Sequence, residues 1–277
     1  MVDVEIGRRR RKVAQTWNEL TGPQLLQVCQ VYGLAFDTPG PRYKALLRIL
    51  FAVPNRVMNR INVVQFVDLK PLATFLLDPT KGRPLTDQLL PRLPTCSWAQ
   101  LWAGVRSRTP HLYGPRDSFR NLTFAEFIFA DTFFLRYLQT NEEAWLNKLV
   151  AVLYRPQRED YRPHAASYGG DRREDFNEHL LDARAGYMAR VPHYVKLAVL
   201  LYYQGCRREL ERRYQRVFEG DTNQKAALSG WEAVLHNLAD GVHRVEATAG
   251  QSLHNVMREM QRVLENYDRA KAAHQAS

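Results

Sequence analysis

Cysteine is scarce: three residues in 277, at Cys29, Cys96 and Cys206. They lie far apart and form no CxxC pair, so neither a disulfide framework nor a structural zinc site is on offer, and a reducing compartment is the simpler setting. Long apolar runs are absent too. The longest, Tyr194 to Tyr203, has ten residues and contains Lys196, about half of the ~20 that a membrane span needs. The arginines near the N-terminus have no apolar core behind them, so no secretory signal is expected. The GxxxxGK[ST] phosphate loop and the GxSxG nucleophile elbow are both missing, and no cysteine carries a local histidine signature.

What is present is ordinary for a globular chain. Hydrophobic residues make up 45% and charged residues 25%, which excludes global disorder and coiled-coil or collagen architecture. The length suits one large domain or two small ones. Lys and Arg outnumber Asp and Glu by 39 to 29, a net charge of +10. Such a field favours encounter with nucleic acid or acidic protein surfaces.

The first seventeen residues read as a hairpin. Val2, Val4 and Ile6 alternate with Asp3 and Glu5, Gly7 can turn the chain, and Arg8 to Trp17 return. A disordered basic arm is the alternative, given the block Arg8, Arg9, Arg10, Arg11, Lys12. Thr21-Gly-Pro-Gln24 fits a capping box, opening a helix with Leu25, Leu26, Val28, Cys29 and Val31 on its apolar face and Gly33 at its end. Tyr43 to Val53 predicts a second helix, stopped by Pro54. Asp68-Leu-Lys-Pro71 can start a helix through Leu77, but the preferred reading pairs Thr74–Leu77 with Pro84–Leu90 as a hairpin. Ser97 to Val105 is the one helix expected between Pro91 and Pro115.

The second half is helical, so the chain divides into an N-terminal region, 1–122, and a helical bundle, 123–277. The fold class is mainly α with a minor β component. Thr123-Phe-Ala-Glu126 reads as a capping box opening a helix to about Leu138. Its Phe124, Phe127, Ile128, Phe129, Phe133 and Phe134 demand burial on most sides. Asn141 is expected to cap the next helix, which ends at Tyr154-Arg-Pro156 with Arg155 satisfying terminal carbonyls. A polar loop from Gln157 to Arg173 follows, then a helix from Glu174 to Ala189. Pro192 opens the longest helix, to about Phe218. Ser229 to Leu238 is a short helix. Ser252 to Tyr267 carries Leu253, Val256, Met257, Met260, Val263, Leu264 and Tyr267 as an amphipathic stripe, and the last ten residues are expected to fray.

No catalytic, metal or cofactor constellation emerges. His236 lies four residues after Glu232, and His243 three before Glu246, the spacing of solvated helix-face pairs. Glu126 and Asp131, five apart, fall off a common face, and Glu126 has its capping role. The candidate contacts are Tyr161 and Tyr168 in the polar loop, the arginines Arg207, Arg208, Arg212, Arg213 and Arg216, and the stripe Leu253–Tyr267. The arginines are spaced to track phosphates or, paired with Glu209 and Glu211, to form a solvated face. Arg8 to Lys12 is the alternative nucleic-acid contact.

Four segments carry a resemblance. Trp17-Asn-Glu-Leu-Thr-Gly-Pro-Gln-Leu25, Leu112-Tyr-Gly-Pro-Arg-Asp-Ser-Phe-Arg-Asn-Leu-Thr-Phe-Ala-Glu-Phe127, Leu149-Val-Ala-Val-Leu-Tyr-Arg-Pro156 and Ser229-Gly-Trp-Glu232 occur in this order. Together they resemble proteins encoded in phages and prophages of the Bacteroides lineage, themselves distantly similar to tail- and baseplate-assembly proteins of contractile phages. The resemblance implies a non-enzymatic assembly or structural protein whose partners are phage tail or baseplate proteins, in the bacterial cytoplasm or the virion. The basic N-terminal block departs from the more neutral start of that family. Nucleic-acid binding is the alternative function, and an uncharacterised enzyme the weakest one.

Overall fold

The computed structural model describes residues 1–6, 9–78, 82–93, 111–164, 170–219, 231, 234–235 and 244–276. The fold is mainly α. Two compact units emerge, Met1–Leu90 with Pro192–Cys206, and Pro91–Val191 with Arg207–Ser277, so residue 122 falls inside the second.

In the first unit the alternating residues do form a hairpin. Strands β1 (Val2–Ile6) and β2 (Arg9–Val13) pair antiparallel, with Val4 opposite Arg11 and Glu5 opposite Arg10. Helix α1 (Gly22–Tyr32) starts at the complete Thr21/Gln24 capping box and buries Leu25, Val28, Cys29 and Val31. Burial pushes the Cys29 thiol up to about 12, which makes it inert at neutral pH. Helix α2 (Pro39–Phe51) begins four residues earlier than expected, because prolines in a first turn cost the helix no hydrogen bond. Short helices α3 (Asn55–Met58) and α4 (Val63–Leu69) follow.

The hairpin expected over 74–90 is not there. Residues Lys70–Leu76 form a 3-10 helix with Pro71 in its first turn. Ala73 and Leu76 bury their side chains, and the Tyr32 hydroxyl donates to the Leu76 carbonyl. These contacts favour the helical alternative over a strand.

In the second unit, α5 (Phe124–Thr140) is buried on most sides, as its aromatics require. Asn141 takes a left-handed conformation, φ 56°, and ends α5 instead of capping α6 (Glu143–Leu153). Two-residue strands β3 (Leu112–Tyr113) and β4 (Arg155–Pro156) pair antiparallel, a pairing no sequence pattern announced. The helix expected from Glu174 begins later, as a 3-10 turn Glu178–Leu180 leading into α7 (Leu181–Met188).

Helix α8 (His193–Arg213) belongs to the first unit through Cys206 and to the second from Arg207. It breaks at Tyr214, and a separate turn α9 (Gln215–Phe218) follows. After α10 (Val245–Ala249), α11 (Leu253–Ala276) is longer than α8 and remains helical through the residues expected to fray. The helix expected at 97–105 lies outside the described residues. Of Ser229–Leu238, only Trp231, Val234 and Leu235 are described, and they are helical.

Two substitutions test this packing. Phe127 is fully buried, and Phe127→Ala is expected to lose about 3–5 kcal/mol in chemical denaturation. A Cβ on Gly205 would sit 2.1 Å from the Leu85 carbonyl oxygen. Gly→Ala inside a helix normally gains up to about 1 kcal/mol. Gly205→Ala is expected to destabilise instead, because the backbone of Leu85 has nowhere to yield.

Candidate functional site

The second unit is organised around charges that have been taken out of water. Glu126, in the first turn of α5, is 1% exposed, as are Arg155 and Arg173. Arg155 Nη2 donates to Glu126 Oε1 at 2.5 Å and Arg173 Nη2 to Oε2 at 3.1 Å. Asp171 adds the second negative charge, 2.7 Å from Arg173 Nη2. Two guanidiniums and two carboxylates thus balance. Burial lowers the proton affinity of Arg155, while at Arg173 burial is outweighed by Glu126 and Asp171.

The remaining guanidinium nitrogens meet the backbone. Arg155 Nη1 donates to the Val152 carbonyl and Nε to that of Glu174, both at 2.8 Å. Arg173 Nη1 reaches the Leu153 carbonyl at 2.9 Å and Nη2 that of Asn121 at 3.2 Å. Arg155 therefore satisfies a carbonyl at the end of α6, as its position after the helix implies. Glu126 forms only half of the expected capping box. Its N–H bonds to Thr123 Oγ1, but its carboxylate turns inward to the arginines.

A cleft of about 630 Å³ opens over this cluster, lined by Arg116, Arg120, Glu126, Asp171 and Glu246 among others. The turn that carries Arg116 and Arg120 holds Ser118 and Phe119 at φ 53° and 59°. Two successive left-handed residues without glycine store strain. Burial of Phe119 and the bond from Arg116 N–H to Asn121 Oδ1, 2.6 Å, hold the turn. His254 Nε2 lies 2.8 Å from the Ser118 carbonyl. A carbonyl only accepts, so Nε2 carries the proton.

The second carboxylate of α5, Asp131, is fully buried in a separate centre. Arg207 Nε donates to Oδ1 at 2.6 Å and Trp231 Nε1 to Oδ2 at 2.9 Å. Trp231 packs edge-on against Phe127 and Phe218.

The arginines singled out from sequence thus divide. Arg207 serves the core and also pairs with Glu211. Arg212 and Arg213 are exposed and pair with Glu209, Arg208 is half-buried, and Arg216 binds Asp268 and Glu219. Arg172, between the rings of Tyr113 and Tyr161, fixes Tyr161 by cation–π contact. In the N-terminal block, Arg9 lies on β2, and Arg10 and Lys12 stand opposite Glu5 and Asp3. Arg11 Nη1 turns to the Phe51 and Ala52 carbonyls at the end of α2. Arg8, Tyr168, His236 and His243 lie outside the described residues. Among the described residues, no three His, Cys, Asp or Glu side chains group as a metal site requires.

Two predictions follow from these centres. Glu126→Gln leaves two buried guanidiniums short of a counter-charge and is expected to cost about 3–5 kcal/mol in denaturant unfolding. Asp175→Asn, at an exposed carboxylate paired with Arg158, should leave stability unchanged. Burial, then the charges of Arg213, Arg258 and Arg120, hold His254 below its ordinary 6.5 despite the Ser118 bond. The unfolded chain therefore takes up this proton first as pH falls. The contribution of neutral His254 is fully present above about 6.5 and is lost as pH drops from there through the depressed folded value. His254→Gln, which cannot titrate, should remove this part of the acid sensitivity in a pH series of unfolding curves.

In both centres the buried acids are bound to the chain's own arginines and tryptophan, an arrangement that fastens segments together. The chain matches no protein-family model, no curated protein and no solved structure.

Proposed function

We propose that the protein is a non-enzymatic assembly or structural component of a phage, prophage or tail-like particle, acting through protein contacts. The observation that carries the reading is the mutual saturation of Glu126, Arg155 and Arg173. The most deeply buried polar groups near the cleft serve to hold backbone segments, a scaffolding use. The four motifs described above supply the phage context by resemblance.

Apolar surface supports contact with a protein partner. The stripe of α11 is buried at Leu253, Val256 and Met260, but continues to Val263, 48% exposed, and Tyr267, 65% exposed. Tyr161, its ring beneath the Arg172 guanidinium, is an aromatic of the kind that anchors interfaces. Nucleic acid is the less favoured partner. Acids stand opposite Arg10 and Lys12, and most of the helical arginines already hold carboxylates.

The test is affinity purification of the tagged chain from cells expressing the surrounding gene cluster, with mass spectrometry of particles and soluble fraction. Recovery in particles marks a structural component, and recovery only with soluble tail proteins marks an assembly factor. The double variant Val263→Asp/Tyr267→Asp should reduce either recovery while keeping its helical circular dichroism. Absence from both fractions in replicate preparations overturns the reading.

A further inference from the structure

The hairpin is a two-stranded sheet, so among the described residues β1 has one paired edge and one open one. Antiparallel pairing with β2 uses the backbone groups of alternate residues, and those of the intervening residues point away from β2. Such a row of amides and carbonyls, at strand spacing, is matched by another extended backbone.

A groove of about 360 Å³ lies beside this strand, and both Val4 and Glu5 line it. Consecutive strand residues send their side chains to opposite faces. The groove thus lies against two successive positions of β1. Val57, Met58 and Ile61 give it an apolar wall.

Charge determines what kind of strand fits. Asp3 and Glu5 are exposed on one face of β1, with Lys12 and Arg10 opposite them on the paired side, so a cation added on the open side would flank each acid. In the groove lining, Glu5 and Asp68 face a single cation, Arg60. In a sheet, opposite charges directly across from each other stabilise and like charges destabilise. A second copy of β1 would bring Asp3 and Glu5 against acids of its own kind, so the edge is built against self-pairing.

We propose that the open edge of β1 binds an extended peptide segment of a partner protein in which basic and apolar residues alternate. The apolar side chains enter the groove, and the basic ones face Asp3 and Glu5. The recognition mode is strand addition, with backbone bonds for affinity and alternate side chains for selectivity. The inference rests on the protein-contact reading above and gives that partner its chemistry.

The probe is a fluorescein-labelled hexapeptide library in which Lys or Arg alternates with Val, Ile, Leu or Phe, titrated into the full chain by fluorescence anisotropy. Saturable binding tighter than about 1 mM is expected. For the best member, alternate amides are N-methylated in each of the two possible sets. The set facing β1 should weaken binding about tenfold or more, and the other set should leave it unchanged. Asp3→Lys/Glu5→Lys should lose the basic peptide and gain its glutamate counterpart. If that variant fails to fold, the N-methyl comparison on the unaltered chain still decides.

Absence of binding by every member overturns the proposal. Equal binding of both N-methylated sets also overturns it, leaving charge attraction alone, as does self-association that Asp3→Lys/Glu5→Lys abolishes. Recovery of tail proteins without peptide binding removes only the edge. Peptide binding without such recovery removes only the particle context.

Discussion

The second unit depends on one carboxylate. Glu126 lies between two guanidiniums that bring with them the carbonyls of Val152 and Leu153, the turn at Asn121 and the chain at Glu174. Two buried positive charges are tolerable only where their counter-charges and acceptors are complete. Completeness here requires α5, the end of α6 and the returning loop in one arrangement. Apolar side chains of similar volume would fill the space, but they would not fix which carbonyl meets which donor.

The same bonds reach the surface. The Asn121 carbonyl accepts from Arg173, and the Asn121 side chain holds the turn containing Ser118 and Phe119. His254 fastens the turn from α11. Left-handed backbone at two adjacent non-glycine residues persists only when its surroundings over-determine it, and here the Asn121 side chain, His254 and the burial of Phe119 do so. The rim of the cleft is consequently shaped by buried electrostatics some residues away in sequence.

Local order was legible from residues alone wherever neighbours in sequence decide it. The alternation in Val2–Ile6, the Thr21 capping box and the aromatic density of α5 each name an element by periodicity or cap chemistry. The ion cluster was not legible, because Arg173 meets a partner 47 positions away and no spacing rule reaches that far. A signal was nevertheless present. Glu126 and Asp131 sit on a helix whose aromatics demand burial on most sides, and a buried carboxylate must find a cation. Reading Glu126 as a capping residue satisfied the local rule and hid the long-range one. The run Thr74–Leu77 failed for a related reason. Four residues suit either strand or helix, and the choice fell to the packing of Ala73 and Leu76.

A net charge of +10 invites the inference of a polyanion-binding surface, yet position shows how much of that charge is spent inside the fold. Along α8 and α9 the arginines grade from Arg207, committed to buried Asp131, to Arg212 and Arg213, exposed beside Glu209. In β2 the alternation of the strand sends Arg11 to a helix end and leaves Arg10 and Lys12 opposite acids. Charge excess is a sum over the chain, whereas binding depends on what a surface presents after internal pairing. What this surface presents is an apolar stripe that outruns its packing and an acidic strand edge beside an apolar groove. The proposed strand addition at that edge calls for a basic segment, which a net charge of +10 would by itself repel.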